Sequence, residues 1–256
     1  MGKLSVIVGG QYGSEGKGAF CAHLVRRNRE KGTNSCVVRV AGPNAGHTAY
    51  DDSGRAWPLR TVPVGLVADP RAIGVIADGS EVDLPVLLRE VRELDEAGLE
   101  GSNRLYVSGR VTMLTSEHHA TEGPEHADLH TKIGSTGKGI GAARAARVMR
   151  TATTPDMIHQ HSTMAEFLAQ EYSPDPEDAA VLDRIQFIHG STVDIIESSF
   201  ACGSHVMIEG TQGYGLGLHR PEYPRVTSSD TRAIDFLAMA GVNPWASYVD
   251  KNGFDV

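Results

Sequence analysis

The sequence predicts an α/β fold: a large, mostly parallel central sheet with surrounding helices, in a single domain over residues 1–256. Three observations predict it. Short apolar runs of strand character recur at residues 4–8, 36–40, 73–76, 105–107 and 205–208. Segments of helical character lie between them, and alternating β and α elements build mostly parallel sheets. Glycine supplies 29 of the 256 residues without collagen periodicity, a composition that calls for many tight turns or close backbone approaches to a ligand.

Taken in order, Leu4-Ser5-Val6-Ile7-Val8 is a short apolar strand that ends in Gly9-Gly10, and residues 17–31 read as a helix closed by Gly32. Strand, glycine loop and helix in succession commonly build a phosphate site. A second strand, Cys36-Val37-Val38-Arg39-Val40, leads into a loop of Gly42, Pro43, Asn44, Gly46 and His47. Asp83 stands as N-cap of a helix with Pro85 in its first turn, Val86, Leu87, Val91 and Leu94 as its apolar face, and Gly98 as its stop. Its acidic run, Glu90 to Glu96, reads as the solvated face. Residues 115–141 are polar, rich in histidine and glycine, and too long for a simple connection, as functional loops often are. Two helices are predicted over 155–172 and 176–200, forming a helical insert, with Val181, Ile185, Ile188 and Ile196 on the apolar face of the second. A strand at 205–208 ends in Glu209-Gly210-Thr211-Gln212-Gly213, and a last helix lies near 230–240; the tail after Gly241 has little pattern.

Composition narrows the function classes. The 24 basic and 32 acidic side chains give a net charge of −8, which argues against a nucleic-acid or anionic-membrane binder. No apolar run approaches the roughly 18 residues that span a bilayer. Cys21, Cys36 and Cys202 are odd in number and lack CxxC spacing, so a reducing compartment, the cytoplasm, is expected, with no targeting signal at the N-terminus. His118-His119, the pair His126 and His130, and the pair His159 and His161 lack supporting cysteines or an HExxH pattern, and no structural metal is assigned to them.

The loop Gly10-Gln11-Tyr12-Gly13-Ser14-Glu15-Gly16-Lys17-Gly18 sets four glycines and a lysine between strand and helix, where amides surround phosphate and Lys17 neutralises it. It departs from the Walker A pattern, which needs glycine at position 11 and Ser or Thr at position 18, where this chain has Gln11 and Gly18.

Five motifs in order, Gly13-Ser14-Glu15-Gly16-Lys17-Gly18, Asn44-Ala45-Gly46-His47-Thr48, Gly134-Ser135-Thr136-Gly137-Lys138-Gly139-Ile140-Gly141, Glu209-Gly210-Thr211-Gln212-Gly213 and Val226-Thr227-Ser228-Ser229, resemble the adenylosuccinate synthetase family. The resemblance covers almost all of residues 1–235. It implies that family's fold with a nucleotide site like that of P-loop NTPases, and usually a homodimer sharing its active sites. It also implies a ligase that uses a nucleoside triphosphate and Mg²⁺ to phosphorylate O6 of a purine monophosphate, after which the amino group of L-aspartate displaces the phosphate. Where the family ordinarily carries Gly-Asp-Glu-Gly-Lys-Gly, this chain has Ser14 in place of the aspartate that serves as base toward purine N1 and as Mg²⁺ ligand. A hydroxyl is no strong base near neutral pH and is a weaker, uncharged magnesium ligand. The same exchange resembles the bacteriophage branch of the family, which aminates dGMP in making 2-aminoadenine DNA; that branch implies dGMP and L-aspartate as substrates, ATP or dATP as co-substrate with GTP as a further possibility, and the host cytoplasm.

Residue by residue, the resemblance implies that Ser14, Glu15, Gly16, Lys17 and Gly18, with Gly46, His47 and Thr48, bind the triphosphate. Ser14 and the Gly46 carbonyl are the Mg²⁺ ligands. His47 is the catalytic histidine that donates to O6 or to the transferring phosphoryl group, and Gln212 donates to the developing O6 anion. Ser14, Asn44, Ser135, Thr136, Gln212 and Thr227 line the monophosphate, and Arg150 is the arginine supplied across the dimer interface. The chain stops at Val256 without the aspartate-binding loop, arginine-rich segment and Lys-x-Asp element that normally follow Val-Thr-Ser-Ser, so it is expected to lack the family's usual C-terminal part. Two rivals stand beside the dGMP reading: an ordinary adenylosuccinate synthetase acting on IMP, and a nucleotide-binding fragment without catalysis.

Overall fold

The computed structural model describes residues 2–123 and 127–243. Strand β1 (Lys3–Ile7) passes through the glycine loop into α1 (Lys17–Glu30), and β2 (Ser35–Arg39) follows. A hairpin of β3 (His47–Tyr50) and β4 (Ala56–Leu59) and a short helix α2 (Gly65–Ala68) precede β5 (Ile73–Ile76). Next come β6 (Glu81–Val82), α3 (Leu84–Glu96), α4 (Gly101–Arg104), β7 (Leu105–Ser108) and β8 (Thr112–Met113). The second half runs α5 (Ser116–Glu122), α6 (Ala127–Ile133), α7 (Ile140–Met149), α8 (Pro155–His161), α9 (Met164–Glu171), α10 (Pro176–Ala179), β9 (Gln186–Ile188), α11 (Val193–Ala201), β10 (His205–Glu209) and α12 (Ala233–Met239).

Six strands form one sheet in the order β1-β10-β2-β5-β7-β9, and every neighbouring pair is parallel, as the α/β reading predicts. Strand pleating sends alternate side chains to opposite faces. Val37 of β2 and Met207 of β10 join the core under α1, α2 and α3, while Cys36, Val38, Val206 and Ile208 join the core under α11 and α12. Strands buried on both faces read as continuous apolar runs, which explains why the sequence shows them so plainly. Strand β10 enters last and slots between the first two strands, placing Ile7, Glu209 and Arg39 in register at their carboxyl ends. In open parallel sheets that end is where ligands bind.

Three expectations need correction. The helix predicted over 155–172 is two helices, because Thr163 starts a new one with a reciprocal capping box to Glu166. The helix predicted over 176–200 is not continuous: residues 186–188 pair with β7 as the edge strand, and the left-handed Gly190 (φ 78°) turns the chain into α11. Of its predicted apolar face, Val181 and Ile185 are buried at the two ends of a single 3-10 turn over residues 182–184, Ile188 is half-buried in β9 and Ile196 is buried in α11, so the 3.6-residue spacing was coincidental across a turn, a strand and a helix. Glu90 is not solvated. It lies on the buried stripe of α3 and accepts the amides of Arg60 at 2.7 Å, Thr61 at 3.0 Å and Val62 at 2.9 Å, which satisfies a turn with no ladder partner.

The long segment 115–141 contains α5 and α6 and is less irregular than its composition implies. His118 completes the capping box of α5 with Thr115, and His119 lies 3.4 Å from Asp83; His126 falls outside the described residues, as does the chain from residue 244 onward. Among the described residues no helix is long and apolar enough to cross a membrane, and none of them forms a group of three or more His, Cys, Asp or Glu able to hold a metal ion.

At the opposite end of the sheet, His205 is nearly enclosed, with Nε2 2.9 Å from Ser5 Oγ and Nδ1 3.0 Å from Asn28 Nδ2. Asn28 donates to Nδ1, so the ring proton sits on Nε2 and donates to Ser5, an arrangement that needs the neutral ring. Burial, with Lys3 adding repulsion, holds its pKa down to about 4 from an ordinary 6.5. A basic group with a depressed folded pKa stabilises fully above its unfolded value, and the contribution is lost as pH falls from 6.5 through 4; the shift corresponds to about 3 kcal/mol. Thermal melts across that window should show Tm falling with acid, and His205→Gln should show a shallower fall. Identical slopes would rule out His205 as a contributor.

Candidate active site

The loop after β1 is held by its own glutamate. The Glu15 carboxylate accepts the amides of Gly10 at 2.9 Å, Gln11 at 3.1 Å and Gly13 at 3.2 Å. Burial raises its pKa, but those amides together with Lys17 outweigh it, and the carboxyl lies below its ordinary range. Glu15 therefore shapes the loop from inside. The N-terminus of α1, whose first amides have no helical partner, is left open to an anion. Gly16 caps that helix in the left-handed region (φ 74°). Gly18 is required for a different reason: a Cβ there would lie 2.4 Å from His47 Cβ. Hence the Ser or Thr of a Walker A loop has no room, and the phosphate loop of this fold presses directly on the histidine loop.

His47 opens β3 and points at the carboxyl ends of β2 and β10, where it meets Arg39 and Glu209. Glu209 is fully enclosed and Arg39 almost so, with 3.1 Å between Nη1 and Oε1. Glu209 also accepts the Val64 amide at 3.2 Å, and Arg39 donates to the carbonyls of Ala45 and, at 3.1 Å, Arg60. The guanidinium thus ties the histidine loop to the hairpin. Burial raises the Glu209 pKa, but Arg39 and His47 pull it further down, and the carboxylate stays ionised. It accordingly accepts a hydrogen bond from His47 Nδ1–H, the nitrogen that also lies 2.6 Å from Arg39 Nη1, and Nε2 is left as the ring atom free to serve a ligand. Burial, and then the Arg39 charge, hold the His47 pKa below its ordinary value against the pull of Glu209. The ring is neutral at rest, and an arriving phosphate favours its charged form.

Two cavities meet here. One, of 480 Å³, is walled by residues 12–19, by 44–48, by Tyr50 and by Gln212. The other, of 280 Å³, is walled by residues 133–136, 140–141 and 225–228, with Glu122 and Leu216. Asn44 and Gln212 belong to both. All the residues predicted to bind triphosphate line the first cavity. Asn44, Ser135, Thr136, Gln212 and Thr227 line the second, whereas Ser14 faces the first alone. Arg150 lines neither; it is exposed at the C-cap of α7 with φ 65°.

Strain marks the same places. Of the four non-glycine residues at positive φ among the described residues, Ser14 (54°), Gln212 (59°) and Arg150 (65°) were singled out by sequence, and such conformations concentrate where a ligand or switch needs them. The turn at Gln212 aims its carbonyl at the Lys17 ammonium, which donates to it. Burial, with Arg39 adding to it, lowers the Lys17 pKa, partly offset by Glu15. Sequence reasoning did not give Arg39 or Glu209 a role. The available signal was a charged residue closing each of two otherwise apolar strands.

A parallel sheet, a glycine loop entering a helix N-terminus, a buried lysine and an oriented histidine define an α/β protein of the phosphate-loop kind. Within that class the chain belongs to the adenylosuccinate synthetase family, whose family model matches residues 6–249. It is 33% identical to the adenylosuccinate synthetase of Methanococcus aeolicus over 241 residues, covering 94% of this chain and 62% of that one. It is 31% identical to the chloroplastic enzyme of Chlamydomonas reinhardtii, covering 98% and 57%. The chain thus spans about three fifths of these relatives' length. Among solved structures, the fold matches the cyanophage S-2L succinoaminodeoxyadenylate synthetase bound to dGMP and dATP, with a TM-score of 0.71, 24% identity, and 95% and 61% coverage. It matches the fully ligated adenylosuccinate synthetase of Plasmodium falciparum with a TM-score of 0.72, 22% identity, and 95% and 59% coverage.

Proposed function

We propose that this chain carries the nucleotide-binding machinery of a ligase that joins L-aspartate to C6 of dGMP at the expense of ATP or dATP, by way of a 6-phosphoryl purine. The observation that carries the reading is the pair of cavities sharing Asn44 and Gln212. A triphosphate on the α1 N-terminus points its terminal phosphoryl group toward His47, and a purine monophosphate with its phosphate by Thr136 and Thr227 brings O6 to the same junction. Phosphoryl transfer needs mainly positioning and charge neutralisation. Lys17 leaves the Gln212 carbonyl for the transferring group, Glu209 holds His47 so that Nε2 faces it, and the Gln212 amide stabilises negative charge on O6.

The donors available to Mg²⁺ are the Ser14 hydroxyl and the Gly46 carbonyl on one cavity wall, both neutral, while Glu15 is spent on its own loop. That set fits an ion held mostly by phosphate oxygens and water. When bound, Mg²⁺ would neutralise phosphate charge there. At the C-terminus of α7, Val148 and Met149 are 75% and 72% exposed beside Arg150; this apolar end fits a homodimer in which Arg150 serves the partner's monophosphate.

Ser14 favours dGMP. Ser14 shares the larger cavity with Asn44 and Gln212, which also wall the smaller one, so for a base reaching that seam a hydroxyl leaves space and adds no charge beside the guanine 2-amino group, and the cyanophage protein of like fold is bound to dGMP and dATP. The relatives in sequence are adenylosuccinate synthetases and favour IMP as the second reading. With ATP, Mg²⁺ and L-aspartate, the protein should consume dGMP in preference to IMP, and Ser14→Asp should reduce the ratio of kcat/KM values at least tenfold, a difference of about 1.4 kcal/mol. Equal use of both purines, or an unchanged ratio in the variant, would move the IMP reading to first place.

A further inference from the structure

We propose that Arg225 supplies, from within the same chain, the cation that grips the 5′-phosphate of the purine monophosphate, a role that rests on the reading of the smaller cavity given above. The need for a cation follows from how the cavity wall is already spent. The loop after α6 carries the hydroxyl and amides that would serve a phosphate, yet the Glu122 carboxylate takes Ser135 Oγ at 3.2 Å, the Gly139 amide at 3.1 Å and the Ala142 amide at 3.0 Å. The N-terminus of α7 is therefore occupied by an internal anion. Within one chain, a phosphate entering this cavity meets a carboxylate and a set of hydroxyls, and apart from any arginine reaching in from a partner its charge is compensated only by a cation that lines the same space.

Among the described residues, Arg225 is the only cationic side chain lining that cavity, and Glu122 the only anionic one. Among the described residues the guanidinium of Arg225 has no hydrogen bond or ion pair; its backbone amide alone is used, on the Glu222 carbonyl at 2.9 Å. Neighbouring arginines are engaged. Arg144 holds Glu81 at 2.9 Å, and Arg220 lies over the Tyr214 ring and donates to its hydroxyl at 2.9 Å. Arg225 also stands two residues before Thr227, whose hydroxyl, with those of Thr136 and Ser228, lines the same cavity. A forked guanidinium among hydroxyls matches a phosphate dianion better than a single carboxylate, because it donates to two oxygens at once while the hydroxyls donate to the others.

The test compares the binding of dGMP with that of deoxyguanosine, which lacks the phosphate, in the wild type, Arg225→Ala, Arg225→Lys and Arg150→Ala by calorimetry. Arg225→Ala should weaken dGMP binding at least tenfold and leave deoxyguanosine binding unchanged, and Arg225→Lys should fall between, since it keeps the charge and loses the fork. Wild-type dGMP affinity in Arg225→Ala would overturn the assignment of Arg225 while leaving the monophosphate cavity standing, as would a phosphate-dependent loss found in Arg150→Ala alone. Equal weakening of dGMP and deoxyguanosine would also overturn it, by showing a damaged loop. Failure of the wild type to bind dGMP or IMP would overturn both this inference and the reading on which it rests.

Discussion

Glu209→Ala should cost about 3–5 kcal/mol and lower Tm by about 10 °C, the largest stability loss expected from any substitution at the site. The carboxylate has no solvent exposure and is the shared acceptor of Arg39, His47 and the Val64 amide. Removing it leaves a guanidinium in a dry interior with one counter-charge fewer, and Arg39 Nε already lacks a partner among the described residues. The loss would come from stranding that charge more than from losing an attraction, and a second substitution separates the two. Adding Arg39→Met to Glu209→Ala should restore part of the stability, because no charge is then left stranded and only the cavity at position 209 remains uncompensated, while turnover stays low because His47 Nδ1 has lost its acceptor. Thermal melts and turnover on the three proteins check this. A Glu209→Ala protein that melts like the wild type would refute the buried-charge account.

Lys17→Ala should lower triphosphate-dependent turnover by about 10²–10³-fold, the scale of removing one preorganised donor from developing charge. The fold should survive. Burial already depresses the Lys17 pKa, so its ammonium is held at a cost, and its only partner among the described residues is the Gln212 carbonyl. Loss of turnover should therefore come with a melting temperature within a few degrees of the wild type. Full activity would remove Lys17 from the phosphate site, and collapse of the fold would make it a structural residue of the loop.

The parts of the site legible in the sequence are those built by local order. A strand, a glycine loop and a helix must place Lys17 at a helix N-terminus wherever they occur, and Gly16 and Gly18 announce a backbone that turns left-handed and then packs against something close. Glu90 was misread because the acidic run around it looked like a solvated face, although its spacing from Leu87, Val91 and Leu94 put it on the buried stripe. The segment 176–200 was misread because Val181, Ile185 and Ile188 fit a helical period and also fit a turn followed by a strand; the vacant edge of β7 made the choice.

By itself the sequence determined the parallel α/β architecture, the glycine loop between β1 and α1 and the order of the five motifs, because apolar runs buried on both faces and left-handed glycines are local demands that each segment carries with it. Only the tertiary structure decided the electrostatic centre. Arg39 and Glu209 are 170 residues apart and become neighbours because β10 enters between β1 and β2, so that one strand-end charge neutralises another and the pair together orients His47. The same insertion brings Gln212 to the seam of both cavities. Charge pairing across a sheet depends on strand order, and strand order is a property of the whole packed chain.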